Sequence, residues 1–276
     1  MPADVDAWID ALVDRHTRAL TRPELLKAIR ALSARYVERR GDLPRRSPID
    51  SAGKRAAFAA FYAPLHFVTA RAIVRALAPS LPRVDRLVDL GCGTGVTSAA
   101  WAMTRDPAPA IEGVDRDAWS LAEAAWNWRT LGLRGRTRRA DMLDVLRTHE
   151  ARSRAARRAE AAEAILLGWS VNELAPPARA ALFASLRAAA IDGATVLVIE
   201  PLARAAAPWW DDWAGPIVAA GGRADEWKLR VDLPARLHEL DEAAGFRREH
   251  LGARTLLFPT ASSRGARAES GADRRE

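Results

Sequence analysis

The stretch LVDLGCGTGVTSAAWA, residues 87–102, decides the fold. In it an apolar strand runs directly into Gly91, Gly93 and Gly95, and a helix follows. Glycine permits the tight turn and lets a ligand approach the backbone at the helix N-terminus. A ligand-binding loop at the end of a buried strand is therefore predicted. A glycine-rich turn without any ligand is the simpler alternative.

The spacing and charge of this loop indicate the ligand. Dinucleotide-binding loops follow the pattern GxGxxG, whereas this loop, with Cys92 inside it, reads GxGxG. Asp89 at the strand end would repel a pyrophosphate, but it complements the ammonium and sulfonium charges of S-adenosylmethionine (SAM). The loop therefore favours SAM over a nicotinamide cofactor, and a nicotinamide-dependent oxidoreductase is the weaker alternative.

Acidic residues after the next two predicted strands extend the pattern. The strand IEGVD ends in Asp115, whose carboxylate can accept hydrogen bonds from both hydroxyls of a ribose. In RRADMLDV, Asp141 can accept from an adenine amino group, and the Met142 thioether can pack on its face. An acidic residue after a strand is common, so Asp115 and Asp141 indicate a cofactor site only in combination with the glycine loop.

Together the DLGCGTG loop, the GVD strand end and the AD element resemble the cofactor half of class I SAM-dependent methyltransferases, over about residues 84–200. The AAGF turn and closing strands extend the resemblance to about 259. It implies an α/β, Rossmann-like seven-stranded sheet with a reversed last strand and SAM across the C-terminal strand edges. By position it implies that Asp89, Gly91, Gly93 and Gly95 hold the methionine part, Asp115 the ribose, and Asp141 with Met142 the adenine. Cys92, inside the same loop, is also expected to contact the cofactor.

The rest of the chain divides into three parts. Residues 1–80 carry helical patterns only and are predicted to form a helical N-terminal extension, with Pro64 breaking its last helix. Residues 81–260 alternate strands with alanine-rich helices and form the predicted SAM-binding domain. The tail 261–276 lacks apolar anchors and is predicted to be disordered. Strands are expected near 84–90, 110–115, 136–140, 164–169, 194–200, 247–251 and 254–259, and a basic helix over 151–163.

The methyl acceptor is expected at the exit of the fourth strand, AILLGWSVNEL, residues 164–174. Amino-group methyltransferases of nucleic acids often carry an Asn/Asp-Pro-Pro-aromatic element there, and this chain does not. Asn172 or Glu173 could orient or deprotonate an acceptor, because methyl transfer needs an in-line nucleophile and sometimes a general base. The alternative is that both residues cap the helix that begins near Pro177.

Charge bears on the partner. The net charge is +7, and residues 1–80 hold 14 Lys/Arg against 8 Asp/Glu. This excess favours RNA or a ribosomal target over a small-molecule acceptor and predicts salt-sensitive binding. The stripe expected to carry it consists of Arg22, Arg30, Arg39, Arg40, Arg45 and Arg46.

FYAPLHFVTARAIVRAL, SVNEL and VLVIEP are also similar to the methyltransferase-like family associated with the mitochondrial small ribosomal subunit, which has bacterial members. That resemblance implies a small-subunit partner. Mitochondrial members carry cysteines for an iron-sulfur cluster, whereas this chain has only Cys92, which excludes a cluster-dependent role. A non-catalytic SAM-binding assembly factor is the alternative from another functional class.

Three further expectations concern metals, membranes and tryptophans. One cysteine and five scattered histidines predict no metal site. No run approaches the roughly 20 apolar residues that span a bilayer, and the acidic N-terminus is unlike a secretory signal, so a cytoplasmic protein is expected. Trp209, Trp210, Trp213 and Trp227 form either an aromatic wall for a flat substrate or packing contacts, while Tyr62 and His66 either cap the cofactor pocket or belong to the core.

Overall fold

A computed structural model describes residues 4–18, 20–38, 49, 51–155 and 162–259. The predicted disordered tail, 261–276, lies outside these residues. So do Arg39, Arg40, Arg45 and Arg46, and part of the predicted basic helix.

A seven-stranded sheet in the order β3-β2-β1-β4-β5-β7-β6 forms the centre of the fold. Strands β1 to β5 are parallel, and β7 runs antiparallel to both β5 and β6. The predicted Rossmann-like class I methyltransferase sheet, with its reversed last strand, is confirmed. The strands are β1 Arg86–Leu90, β2 Ala110–Asp115, β3 Gly135–Arg139, β4 Glu163–Gly168, β5 Thr195–Pro201, β6 Arg223–Leu229 and β7 Leu251–Leu257.

Helices cover both faces of the sheet. One hydrophobic cluster joins the sheet to the first six helices and the last, and a second joins the opposite face to the three between them. The helices are α1 Val5–Thr17, α2 Arg22–Glu38, α3 Ala52–Ala57, α4 Ala63–Leu77, α5 Val96–Ala102, α6 Ala118–Thr130, α7 Met142–Ala155, α8 Pro176–Ile191, α9 Trp210–Ala219 and α10 Ala235–Ala244.

Strand β1 shows why the sequence folds this way. Leu87 packs in the first cluster, whereas Val88 and Leu90 pack in the second, so successive side chains reach opposite faces. Asp89 therefore points to the same face as Leu87, beneath the glycine loop. Both neighbours of β1 are parallel strands, which makes its C-terminal end the point where the strand order reverses and where ligands bind in such sheets.

The edge of the sheet differs from the prediction. Instead of two short strands near 247–251 and 254–259, one strand, β7, spans Leu251–Leu257. Its edge partner is β6, Arg223–Leu229, in a stretch for which no strand is predicted. The sequence RADEWKL is mostly charged because an edge strand exposes one side to water, and such a strand lacks the apolar run that identifies central strands.

Every element that the structure describes within the first 80 residues is helical. The start of α2 carries a capping pair, since the Thr21 amide donates to Glu24 Oε2 at 2.8 Å. Pro64 does not break the third helical stretch: a π-helical turn, Phe58–Tyr62, joins α3 to α4 directly before it. That wider turn relieves the clash of the proline ring with the preceding turn.

The continuous helical stretch Ala52–Ser80 is long and apolar enough to cross a bilayer, but 78% of its most apolar part is buried within the protein. It packs as a core helix against α5. Trp8 of α1 and Ile29 of α2 belong to the same cluster as Leu87 of the sheet. The N-terminal helices thus share one core with the sheet, and the boundary near residue 80 stays a prediction.

Candidate functional site

A cavity of about 480 Å³ opens at the C-terminal ends of β1, β2 and β4. This volume falls within the range of about 300–1,000 Å³ that is usual for small-molecule sites. The glycine loop and the ends of the three strands form its floor, and the N-terminal helices contribute Ser33, Phe58, Tyr62, Leu65, His66 and Thr69 to its wall. The N-terminal helices therefore enclose the cavity from above.

The glycine loop requires its glycines. Gly91, Gly93 and Gly95 have φ values of +68°, +51° and +71°, in the left-handed region. A Cβ on Gly91 would lie 2.6 Å from the Ser170 Cβ, whereas one on Gly93 would meet nothing within 4 Å among the described residues. Gly93 therefore borders open space, which is where a ligand can reach the backbone.

Replacing Gly91 with alanine is expected to lower the melting temperature by about 5 °C more than replacing Gly132 with alanine. Gly132 is the matched control, because its φ is +69° and a Cβ there would meet nothing within 4 Å in the described structure. Only the Gly91 variant adds a clash with Ser170. Equal losses in thermal unfolding would show that the close approach of the loop to Ser170 is wrong.

Asp115 at the end of β2 lines the cavity and fastens the loop. Its Oδ2 accepts from the Gly93 amide at 2.9 Å, and its Oδ1 accepts from the Asp117 amide at 2.9 Å. Each carboxylate oxygen can accept a second hydrogen bond, so the group retains capacity for a ligand. Thr94, also in the cavity wall, has a buried hydroxyl without a hydrogen-bond partner in the described part of the chain.

Asp89, predicted to contact the methionine part of SAM, does not line the cavity. It is fully buried behind the loop, and neither carboxylate oxygen has a hydrogen-bond partner among the residues described. Burial raises its pKa to about 7, an effect that Ser98 partly offsets and Asp115 increases. Gly95 also lies away from the cavity, packed against the Trp128 ring, whereas Cys92 lines it with a thiol whose pKa burial raises.

The raised pKa of Asp89 predicts a pH-dependent stability. The folded protein binds the Asp89 proton more tightly than the unfolded chain does, so the protonated carboxyl adds to the free energy of unfolding at low pH. This stabilisation is lost as pH rises through about 7. Asp89→Asn removes the charge and is expected to stabilise the protein increasingly from about pH 4 to about pH 7, with no further gain above that. The measurement is the difference in melting temperature between variant and wild type, and a difference independent of pH would contradict the assignment.

The two residues predicted to meet an adenine lie together in the cavity wall. Asp141 caps α7, because its Oδ1 accepts from the Leu143 amide at 2.8 Å, and its Oδ2 lies 3.6 Å from Arg116 Nη1. Met142 follows it, with its terminal methyl near Gly91. Of the predicted cofactor residues, the structure thus gathers Gly91, Cys92, Gly93, Asp115, Asp141 and Met142 around one cavity and leaves Asp89 and Gly95 behind it.

A buried carboxyl that the sequence pattern does not indicate binds the segment directly after β4. Glu200, in β5, is fully buried and accepts from the Val171 amide at 2.9 Å and from the Asn172 side-chain amide. Burial raises its pKa to about 8. Trp209 Nε1 donates to Asn172 Oδ1 at 2.9 Å. Both ends of the Asn172 amide are therefore engaged by the protein.

Glu173 differs from its neighbour. It lines the cavity, remains accessible to water there, and has no side-chain hydrogen bond with the described residues. Burial by the surrounding protein raises the pKa of Glu173 to about 7. The negative charge of nearby Asp115 contributes to this increase, and the positive charge of Arg116 reduces it. Water in the open cavity still reaches the carboxyl, so the shift is largest when a ligand displaces that water. Neither Asn172 nor Glu173 caps α8, whose N-cap is Ala175 without a side-chain bond, so the capping alternative is wrong.

An aromatic pair borders the same end of the cavity. His66 of α4 stacks on Trp169, with ring centroids 4.0 Å apart and planes 5° apart. Trp169 has a φ of +56°, which is strained for a large residue and is maintained by its surroundings. Burial lowers the pKa of His66 to about 4, so its imidazole is neutral near pH 7. Tyr62 and His66 both line the cavity, and Tyr62 is also buried in the first hydrophobic cluster, so the two alternatives do not exclude each other.

The tryptophans after β5 do not form an aromatic wall. Trp209, Trp210 and Trp213 are buried in the second hydrophobic cluster, Trp227 donates to Thr255 Oγ1 at 2.9 Å, and none of the four lines the cavity. The packing alternative is correct. Within the described residues no group of three or more His, Cys, Asp or Glu side chains could hold a metal ion.

Comparison with known proteins agrees with this geometry. Residues 68–152 match the family model described as the methyltransferase small domain, which covers β1, the glycine loop, β2 and β3. No curated protein matches the sequence. The comparisons do not support the similarity to the mitochondrial ribosomal family.

Solved structures similar to this one include the following three. A candidate O-methyltransferase from Nostoc punctiforme superimposes with a TM-score of 0.51 at 14% identity, covering 83% of this chain and 72% of that one. The SAM-dependent methyltransferase from Agrobacterium tumefaciens gives 0.46 at 15% identity, covering 71% and 62%. The plantazolicin methyltransferase in complex with SAH gives 0.46 at 9% identity, covering 91% and 99%. At these identities the Nostoc structure supports the fold alone.

Proposed function

We propose that this protein, whose sheet is that of class I SAM-dependent methyltransferases, binds SAM in the cavity and transfers its methyl group to an acceptor that enters beside Glu173. The observation that carries the proposal is the position of the cavity. It lies over the GxGxG loop at the point of strand reversal, within the region that matches the methyltransferase small domain.

The residues around the cavity fit this cofactor. Asp115 would accept from the ribose hydroxyls, Met142 and Asp141 would contact the adenine, and the open space above Gly93 would admit the methionine part. The unpartnered Thr94 hydroxyl would gain a hydrogen bond from the ligand. Asp89 would not contact SAM directly, since its carboxyl lies behind the loop and is separated from the cavity.

On the side of the cavity where the acceptor would enter, the Glu173 carboxyl has no side-chain hydrogen bond with the described residues, whereas the neighbouring Asn172 amide is held in place. SAM supplies an electrophilic methyl group on a sulfonium. With SAM bound, the acceptor's nucleophilic atom would bond to the methyl carbon as the carbon–sulfur bond breaks and SAH leaves. Glu173 would accept the proton that the acceptor loses, and Asn172, held by Glu200 and Trp209, keeps the strand exit rigid. The His66 and Trp169 pair excludes water from this end of the cavity.

The proposal is tested by incubating the protein with methyl-labelled SAM and a bacterial extract divided into an RNA fraction and a small-molecule fraction. We expect label transfer to one fraction and formation of SAH. Binding of SAH without transfer to either fraction would favour the non-catalytic assembly factor.

An RNA or ribosomal acceptor is supported by the charge of residues 1–80. In the described part of the predicted stripe, Arg22 pairs with Glu239 at 2.6 Å, so it is not a free cation. If RNA is the acceptor, its affinity for the protein is expected to fall at least tenfold between 50 and 200 mM salt. Filter binding measures this, and an affinity independent of salt would direct the search to small molecules.

A further inference from the structure

Helix α1 reaches the glycine loop through one buried side chain. Trp8 Nε1 donates to Asn127 Oδ1 at 2.9 Å, and Asn127 Nδ2 donates to the carbonyl oxygen of Thr94 at 2.9 Å. Trp8 is 2% exposed and Asn127 is 1% exposed. The two hydrogen bonds therefore connect the N-terminus, helix α6 and the loop in series, out of contact with water.

The chemistry of these groups allows one arrangement only. An indole nitrogen donates and cannot accept, and a backbone carbonyl accepts and cannot donate. Trp8 must therefore face the Asn127 oxygen, which leaves the Asn127 nitrogen to face Thr94. Without the indole, the Asn127 oxygen would lose its donor, and nothing would fix the orientation of the amide group that donates to the Thr94 carbonyl.

A second contact holds α1 in register on α6. Glu123, 3% exposed and one turn before Asn127, accepts from Arg15 Nη2 at 2.9 Å and pairs with His16 Nε2 at 2.8 Å. Residues four apart lie on one face of a helix, so Glu123 and Asn127 present a single docking face to α1. On the same helix, Trp128 Nε1 donates to the carbonyl oxygen of Gly95 at 2.8 Å. Helix α6 thus fixes two consecutive loop carbonyls, and α1 orients one of the two donors.

We propose that Trp8 is a positioning residue for the cofactor loop, which acts through Asn127 to hold Thr94 and the amides around it in the conformation that binds SAM. This inference rests on the proposed SAM site. It gives the N-terminal helix a direct part in cofactor affinity, in addition to its packing in the core.

The test compares Trp8→Phe with Trp101→Phe by isothermal titration calorimetry with SAH. Trp101 is the matched control, because it is fully buried in the same cluster and its indole N–H has no hydrogen-bond partner among the described residues. We expect Trp8→Phe to weaken SAH binding about three- to tenfold and Trp101→Phe to change it less than twofold. Equal effects of the two variants would overturn the inference.

A double-mutant cycle separates positioning from general loosening of the core. If Trp8 acts through Asn127, the variant with both Trp8→Phe and Asn127→Ala binds SAH as Asn127→Ala does. Affinity losses that multiply would contradict the relay. Failure of the wild-type protein to bind SAH would overturn the proposed function together with this inference, whereas wild-type binding with an unaffected Trp8→Phe variant overturns the inference alone.

Discussion

Replacing Asp115 with alanine is expected to weaken the binding of SAH by at least about a hundredfold. The variant loses the carboxylate that would accept from both ribose hydroxyls. It also frees the Gly93 and Asp117 amides, from which the carboxylate accepts hydrogen bonds of 2.9 Å. Isothermal titration calorimetry with SAH measures the loss directly and requires no acceptor.

Asp144→Ala is the control for that experiment. Asp144 lies in the first turn of the neighbouring helix α7, is 67% exposed and pairs only with Arg147 among the described residues. Its replacement is expected to leave SAH affinity unchanged. An Asp115→Ala variant that folds, as judged by its thermal transition, and binds SAH within threefold of wild type would remove Asp115 from the cofactor site.

Replacing Glu173 with glutamine is expected to lower the rate of methyl transfer about a hundredfold while leaving SAH affinity unchanged. Glutamine keeps the shape of the side chain but cannot take a proton from the acceptor. In the wild-type protein the rate should rise with pH through about 7, because only the ionised carboxyl is a base. The variant should lose that dependence.

The matched control for Glu173 is Glu242→Gln, an exposed residue of α10 with 62% of its side chain accessible. We expect it to transfer methyl groups at the wild-type rate. If Glu173→Gln is as active as this control, the carboxyl is not the base, and positioning alone accounts for transfer.

The central part of the fold was predictable because it depends on local and strongly patterned sequence. An apolar strand followed by a loop with glycines at alternate positions leaves few alternatives, and Asp115 ends the next strand, which is the parallel neighbour of β1. The edge strand β6 was not predictable, since its charged residues match the pattern of a solvated loop as well as that of a sheet edge.

The site was less predictable, because its important contacts join residues distant in sequence. Nothing near Asn172 in the sequence indicates that Glu200 and Trp209 bind its amide group. Glu200 lies near the end of an apolar strand that resembles ordinary core. Asp89 sits beside the loop in sequence, yet strand alternation turns it beneath the loop and away from the cavity. The sequence pattern predicted the end of β1 correctly, but it did not indicate on which side of the loop the Asp89 carboxyl lies.

The central claim is that SAM binds over the glycine loop, and thermal unfolding of the wild-type protein with SAH and with NAD tests it most directly. Ligand at about 100 times its dissociation constant adds roughly 2.7 kcal/mol of stability, which is several degrees for a chain of this size. We predict that SAH raises the melting temperature of the wild type, that NAD does not, and that Asp115→Ala abolishes the SAH effect. Stabilisation by NAD, or by neither ligand, would contradict the account.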